Sequence, residues 1–255
     1  MRTLVIIPTY NERENLSRIV PAVLDAAAVD VLVVDDASPD GTGRLADDIA
    51  ARETRVQVLH RRGKEGLGRA YLAAFTWALQ REYTHLVEMD ADLSHRPEDL
   101  PRLLARANQS DAPDLVIGSR WVRHGAVENW PLHRQLLSRG SNLYVHLLTG
   151  VGVADATAGF RVYRADILRA LDLDAVTSAG YSFQVDMTLR VREAGGAIVE
   201  VPITFVERTE GHSKMDGPII LESIRNTALW GARRRGRQLA RWCARRGGLR
   251  SGRAG

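Results

Sequence analysis

Apolar positions recur in two rhythms along this chain. TLVIIP at 3–8, VLVV at 31–34, VQVLH at 56–60, HLVEMD at 85–90 and DLVIGS at 114–119 are short apolar runs. They read as buried strands, since a strand covered on both faces needs no polar alternation. Between them, apolar residues fall at helical spacing over Glu12–Ala28, with Asn11 as the expected N-cap, and over Gly41–Arg52, opened by the turn SPDG. Two more helices are expected over Gly68–Arg81 and from Pro97, at a first helical position, to about Arg106. Strands separated by such helices imply an α/β class protein with a mainly parallel sheet and helices on both faces. Ligands of such sheets sit beyond the carboxyl ends of the strands. The second half is less regular. It predicts a helix over Arg134–Leu148, a strand FRVYR at 160–164, and a helix over Phe183–Ala194. Two short strands within Ala197–Val206, broken at Pro202, and a last helix from Pro218 to about Arg235 follow. No repeat and no long linker divides the chain, so one domain is expected over 1–230, with a tail at 231–255.

Charge changes this picture at one end. The chain of 255 residues carries 35 Lys and Arg against 31 Asp and Glu, but nine arginines and no acid lie in the 25 residues from Gly231. The remaining body has 26 basic residues and a net charge of −5. A basic tail of this kind suits a polyanion, either anionic lipid heads or nucleic acid, or is a solvated end. The single cysteine, Cys243, rules out an intrachain disulfide framework and a cysteine zinc site, and fits a reducing cytoplasmic setting. No apolar run reaches 18 residues, so no transmembrane helix is expected. The opening MRTLVIIPTYNE does not read as a signal peptide, because its apolar stretch meets Pro8 at once.

The ends of the expected strands carry acids: Glu12 after the first, Asp35-Asp36 after the second, and Asp90-Ala91-Asp92 after the fourth. Uncompensated carboxylates gathered on one edge repel each other, and a divalent cation or a hydroxyl-rich ligand resolves this. If the fourth strand runs on, Asp90 and Asp92 share a face and can approach one ion. Oxygen ligands suit Mg²⁺ or Mn²⁺, which bridge to phosphates. Ser94 lies close enough to join this shell; His95 reads either as a further ligand or as a surface histidine at a helix start. The first turn, PTYNE, lacks the glycines of a dinucleotide-binding loop, which disfavours a dehydrogenase. Lys64 and Lys214 are the only lysines, and both lie in glycine-containing loops. The GKEGLG loop at 63–68 either meets phosphate through backbone N–H groups or is a plain loop. With Arg120, Arg134, Arg139 and Arg208, these cations suggest two anionic ligands.

Taken in order, VIIPTYNERENL (5–16), VVDDASPDGT (33–42), GLGRAY (66–71), MDADLSHRPEDLP (89–101), GSRWV (118–122), GFRVYR (159–164), GYSFQVDM (180–187) and VPITFVERTEGHSKM (201–215) resemble the dolichol- or polyprenol-phosphate mannosyltransferases. These are inverting family-2 glycosyltransferases of GT-A fold, and the resemblance spans roughly residues 3–225. It implies a base and ribose pocket at Pro8, Tyr10, Glu12, Val34 and Asp36, and a metal and diphosphate motif at Asp90, Ala91 and Asp92. It also implies donor-phosphate cations at Arg120, Arg208 and Lys214, and an acceptor-phosphate site at Arg134 and Ser138. Asp92, Arg120, Arg208 and Lys214 are then the expected catalytic set, and Asp90, Asp92 and Ser94 the metal set. Ser94 departs from the pattern, standing where some members carry glutamine.

The activity so implied is transfer of mannose from GDP-mannose to a polyprenyl phosphate, with inversion at C1 and Mg²⁺ or Mn²⁺ as cofactor. Competing readings are a relative using UDP-glucose and a non-catalytic lipid-binding module of the same fold. Some members carry membrane-spanning helices after the catalytic domain. Here the apolar residues of 218–230, followed by clustered arginines, suit an interfacial helix on an anionic membrane. The expected partners are the nucleotide sugar, the lipid phosphate and the membrane surface, with a membrane protein as an alternative anchor and no nucleic acid. The expected location is peripheral, on the cytoplasmic face.

Overall fold

In the computed structural model, which describes residues 2–178, 180–207 and 225–232, the apolar runs become adjacent strands. These are β1 (Thr3–Thr9), β2 (Asp30–Asp35), β3 (Val56–His60), β4 (His85–Glu88) and β5 (Leu115–Ser119). With β7 (Arg161–Arg164) and β8 (Ile198–Pro202) they form one seven-stranded sheet in the order β3-β2-β1-β4-β7-β5-β8. Every pairing is parallel except those of β7, which runs antiparallel between β4 and β5. The carboxyl ends of β1, β2, β4 and β5 therefore open on one edge.

Helices cover both faces. Leu16, Ile19, Val20 and Val23 of α1 (Arg13–Ala26) and Leu100, Leu103 and Leu104 of α4 (Leu100–Ala107) belong to one core layer, beside Val5, Ile7, Val31 and Val33. Tyr71 and Phe75 of α3 (Leu67–Leu79), and Phe183 and Met187 of α7 (Gly180–Glu193), belong to the other, beside Leu4, Ile6, Leu32 and Val34. Alternate residues of β1 and β2 thus feed opposite layers, which explains their unbroken apolar character. α2 (Thr42–Ala50) packs beside β3.

Several boundaries differ from the sequence reading. Asn11 does not cap α1. It adopts a left-handed φ of 58°, Glu12 takes the cap position, and the Glu12 N–H bonds the Thr42 hydroxyl instead. A 3-10 turn, Pro97–Asp99, precedes α4. The helix expected from Arg134 starts two residues earlier, as α5 (Leu132–Thr149). The break near Pro202 is a change of sheet: β9 (Thr204–Val206) leaves β8 to pair in parallel with the unforeseen β6 (Ala126–Glu128). The short α6 (Ala165–Ala170) was also not legible. Of the expected last helix, 225–232 is described and helical, crossing the expected boundary at 230; Gly231 approaches the Leu148 carbonyl at the end of α5.

Beneath the open edge lies a buried polar cluster. Arg161 has no exposed surface, and its guanidinium donates to the carbonyls of Ala158 (2.7 Å), Ala156 (2.7 Å) and Gln184 (2.9 Å) and to the Thr188 hydroxyl (2.9 Å). Glu88, its ladder partner, accepts from the Gln184 amide at 2.8 Å. Burial pushes the Glu88 carboxyl up to about 7, with Arg161 opposing the rise. Replacing Arg161 with Leu leaves three buried carbonyls to find new donors and removes that opposing charge. Arg161→Leu is expected to lose about 3 kcal/mol or more of unfolding free energy, measured by urea denaturation; a loss under about 1 kcal/mol contradicts this role.

Candidate active site

The edge is built from three turns. After β2, Asp35 is buried and shapes the chain: its carboxylate accepts from the Ser38 N–H (3.1 Å) and hydroxyl (2.5 Å) and from the Thr9 hydroxyl (3.3 Å). Asp36, next to it, faces the loop after β3 and pairs with Arg61 at 2.5 Å. Tyr10 and Glu12 are partly exposed at the same end. Glu12 accepts from the Asn15 amide at 2.8 Å, and Lys64 Nζ stands 4.2 Å from the Tyr10 ring centroid. Tyr10, Glu12 and Asp36 thus come to one end of the edge, beside Pro8. Val34 has no exposed surface, because it is an inner residue of β2 with its side chain in the core.

Asp90 and Asp92 lie beyond β4, which ends at Glu88. Strand alternation therefore does not relate them; they lie in the turn that follows, with Leu93 at a left-handed φ of 63°. Ser94 is buried and donates to Asp92 Oδ1 from its hydroxyl (2.5 Å) and its N–H (3.1 Å), which fixes that carboxylate. His95 is not a surface histidine. It is 1% exposed, lies between Phe160 and Phe205, and accepts the Asp90 N–H on Nδ1 at 3.0 Å. Burial pulls the ring down to about 4, so it stays neutral at neutral pH and keeps this acceptor role. The Asp90 side chain is about one-third exposed and Ala91 is buried. Among the described residues no three His, Cys, Asp or Glu side chains converge as a metal cluster.

Arg120 follows β5 and is 6% exposed. Its Nε and Nη2 each donate to Asp155 at 2.7 Å, its N–H does so at 3.0 Å, and Nη2 also reaches the Thr157 hydroxyl at 3.0 Å. The charge of Arg120 is thus matched within the protein by Asp155. Rings of Trp121, Trp130 and Phe205 stand 5.4–5.8 Å from its guanidinium carbon. Burial pushes the Asp155 carboxyl up, but the Arg120 charge, the hydrogen bonds that Arg120 donates from its side chain and N–H, and that from the Thr157 hydroxyl outweigh it and hold the carboxyl below its usual range.

The same cluster gathers the expected acceptor residues. Arg134 pairs with Glu207 and lies 4.1 Å over Trp130; Ser138 accepts from the Trp121 indole N–H at 3.3 Å; Arg139 lies 4.7 Å over Trp121. Asn142 of α5 is 5% exposed, and its amide donates to the Ser138 carbonyl (3.0 Å), Thr157 (3.2 Å) and Asp155 (3.3 Å). Beside it, a cavity of about 260 Å³ is lined by Trp121, Arg139, Asn142, Leu143 and His146. Asp155, Asn142 and the tryptophans escaped the sequence reading, because no local motif marks residues that meet only in the fold. Arg208, His212, Lys214 and Cys243 lie outside the described residues.

Asp155→Ala strips a buried arginine of its partner. It is expected to cost about 3–5 kcal/mol in unfolding free energy, read by thermal or denaturant melts, whereas an Asp155→Ala variant as stable as wild type would deny the pair its structural role.

The family described as "Glycosyl transferase family 2" matches residues 4–172. The chain is 56% identical to a protein of Micrococcus luteus named undecaprenyl-phosphate mannosyltransferase, over 91% of this chain and 94% of that protein. It is also 56% identical to the polyprenol monophosphomannose synthase of Mycolicibacterium smegmatis, over 92% and 88%. Among solved structures, glucosyl-3-phosphoglycerate synthase from Mycobacterium tuberculosis, in complex with Mn²⁺ and UDP-glucose, superposes with a TM-score of 0.62 at 18% identity, covering 92% of this chain and 79% of that one. The mannosyltransferase PcManGT from Pyrobaculum calidifontis, in complex with GDP-Man and Mn²⁺, gives a TM-score of 0.56 at 15% identity, covering 95% and 75%. At such identities these last two support the fold.

Proposed function

The chain belongs to glycosyl transferase family 2, and on that premise we propose that it transfers mannose from GDP-mannose to a polyprenyl monophosphate with inversion at C1. The observation that carries this reading is the junction of two sites on one sheet edge. Carboxylates of Asp90 and Asp92 lie after β4, and the Arg134–Ser138–Arg139 face of α5 meets the end of β5 through Trp121. The names of both curated relatives, similar over most of their length, support mannose and a polyprenyl phosphate.

The donor lies with its nucleoside at Pro8, Tyr10, Glu12 and Asp36 and its diphosphate toward Asp90 and Asp92. Two carboxylates held by Ser94 and by the turn fit a hard divalent ion, Mg²⁺ or Mn²⁺, that takes its other oxygens from phosphate and water. When bound, that ion stabilises charge on the leaving diphosphate. Ser94 orients Asp92, and His95, by accepting the Asp90 N–H, holds the turn that aims Asp90. Arg120 anchors this edge to α5 through Asp155 and Asn142. Arg208 and Lys214 complete the donor-phosphate contacts.

An acceptor monophosphate has a second pKa of about 6, so its oxygen is already ionised near neutral pH and needs no strong general base. Orientation of that oxygen against C1, by Arg134 and Ser138 with Arg139 alongside, is then the main task on the acceptor side.

The lipid chain and the membrane lie along α5. Leu132, Leu136, Leu143 and Leu147, spaced four and seven residues apart on one face, are 58–69% exposed. Leucines in a row, each more than half exposed, signal an apolar partner, and Arg139 beside them suits an anionic head. Among the described residues no helix is long and apolar enough to cross a membrane, which suits peripheral binding at the cytoplasmic face, assisted by the arginine-rich tail or by a membrane-embedded partner.

Two outcomes are expected. With labelled GDP-mannose, polyprenyl phosphate and Mn²⁺ or Mg²⁺, Asp92→Ala lowers lipid labelling by about 10³-fold or more, as loss of a charge-stabilising group does; robust labelling by that variant, or labelling of wild type by UDP-glucose alone, refutes the assignment. Leu136→Glu with Leu143→Glu, and separately removal of 231–255, each lowers co-sedimentation with anionic vesicles while GDP binding is kept. Unchanged sedimentation of both variants contradicts the membrane-facing assignment of helix and tail.

A further inference from the structure

The leucine face of α5 has a polar flank. At about 100° per residue, Leu132, Leu136, Leu143 and Leu147 fall within an arc of about 60°, Arg139 and His146 adjoin it within about 40°, and Asn142 follows at about 80°. The cavity of about 260 Å³ lies along this flank, lined by Trp121 and Val153 together with Arg139, Asn142, Leu143 and His146. Arg134 and Ser138 do not line it. Arg139 lies 4.7 Å over the Trp121 ring, which holds its guanidinium against the cavity wall. Asn142 is 5% exposed, and its amide nitrogen donates to oxygens of Ser138, Thr157 and Asp155. Those three bonds fix which way the amide points. Its Oδ1 is then left buried with no partner among the described residues. An unpaired buried acceptor costs about 1–3 kcal/mol, so a ligand that brings a donor to it gains what the protein alone forgoes.

We propose that this cavity is a headgroup site for a bulk membrane phospholipid, a phosphodiester whose head carries hydroxyls, as in phosphatidylglycerol. The proposal rests on the assignment of the α5 leucines to the membrane. With that arc among acyl chains, the adjoining flank stands at the level of the lipid phosphates. A phosphodiester bears one negative charge, which the single guanidinium of Arg139 matches with its fork of N–H donors. His146 adds a ring N–H, and Trp121, Leu143 and Val153 cover the carbons of the head. The headgroup hydroxyl donates to Asn142 Oδ1. A head without a hydroxyl leaves that oxygen unpaired, and a choline head sets a fixed positive charge beside Arg139. Because Asn142 also holds the Ser138 carbonyl, an occupied site ties the plane of the headgroups to the acceptor face.

Co-sedimentation of the full chain with two sets of phosphatidylcholine vesicles tests the site. One set contains phosphatidylglycerol and the other an equal mole fraction of phosphatidylethanol, whose head has the same charge and no hydroxyl. Wild type is expected to bind the phosphatidylglycerol vesicles about fivefold tighter, the effect of one hydrogen bond. Glycerophosphoglycerol, the deacylated head, is expected to displace it from them at concentrations at which inorganic phosphate does not. Ala154 also lines the cavity and is exposed. In Ala154→Phe, which fills the space, the ratio falls close to one while binding to phosphatidylethanol vesicles and GDP is kept. Equal binding of wild type to both vesicles overturns the headgroup site and leaves the membrane reading standing. Binding to neither overturns the membrane reading and the site with it. Inorganic phosphate that competes as well as glycerophosphoglycerol reveals a simple anion site and overturns the headgroup assignment. A full preference in Ala154→Phe overturns the cavity as its seat.

Discussion

The buried ion pair between Arg120 and Asp155 is the interaction on which the working edge depends. Asp155 has no exposed surface, so its charge is tolerable only because Arg120 meets it with two side-chain hydrogen bonds and the Arg120 N–H adds a third. The pair sits where three parts of the chain converge: the end of β5, the loop before β7, and α5 through Asn142. Glu200 of β8 fixes the loop from behind by accepting the Ala154 and Asp155 N–H groups. In consequence the acceptor face, Ser138 and its neighbours, cannot shift relative to the sheet without breaking hydrogen bonds to a buried charge. Group transfer is sensitive to alignment on the scale of about an ångström, and this pair gives the edge a rigid element.

The acidic turn after β4 follows a related logic. Neutral groups help to position its carboxylates. Ser94 aims Asp92 with neutral donors, and His95, neutral because it is buried, holds the Asp90 backbone without adding positive charge beside the site. At the base end the opposite choice is made: Asp36 is matched at once by Arg61. The edge thus runs from a paired charge, through the partly exposed Asp90 and Asp92, to the cations of α5.

Much of this was legible in the residues. Apolar runs too short for helices and lacking alternation could only be strands covered on both faces, so the parallel sheet and its ligand-bearing edge followed. Asp36, Asp90 and Asp92 stood out because acids directly after buried strands have few structural uses. Other details were not legible for physical reasons. The antiparallel β7 has the same alternation as any half-buried strand. β6 and α6 are too short for periodicity to register. His95 looked exposed because a histidine before a helix-starting proline has no local reason to be buried; Phe160 and Phe205, from distant segments, bury it.

By itself, then, the sequence determined the class of fold and the family and pointed to the edge where ligands are expected, because these depend on local hydrophobic rhythm and on contiguous motifs. Tertiary structure alone decided which charges are spent within the protein and which face outward. Asp155, 35 residues away, meets Arg120, and the sheet sets Arg61 against Asp36; no local motif announces either pairing. The packing leaves leucines of α5 in solvent. Partnership of charges and burial of faces are pairwise properties of residues distant in sequence, and only a folded chain assigns them.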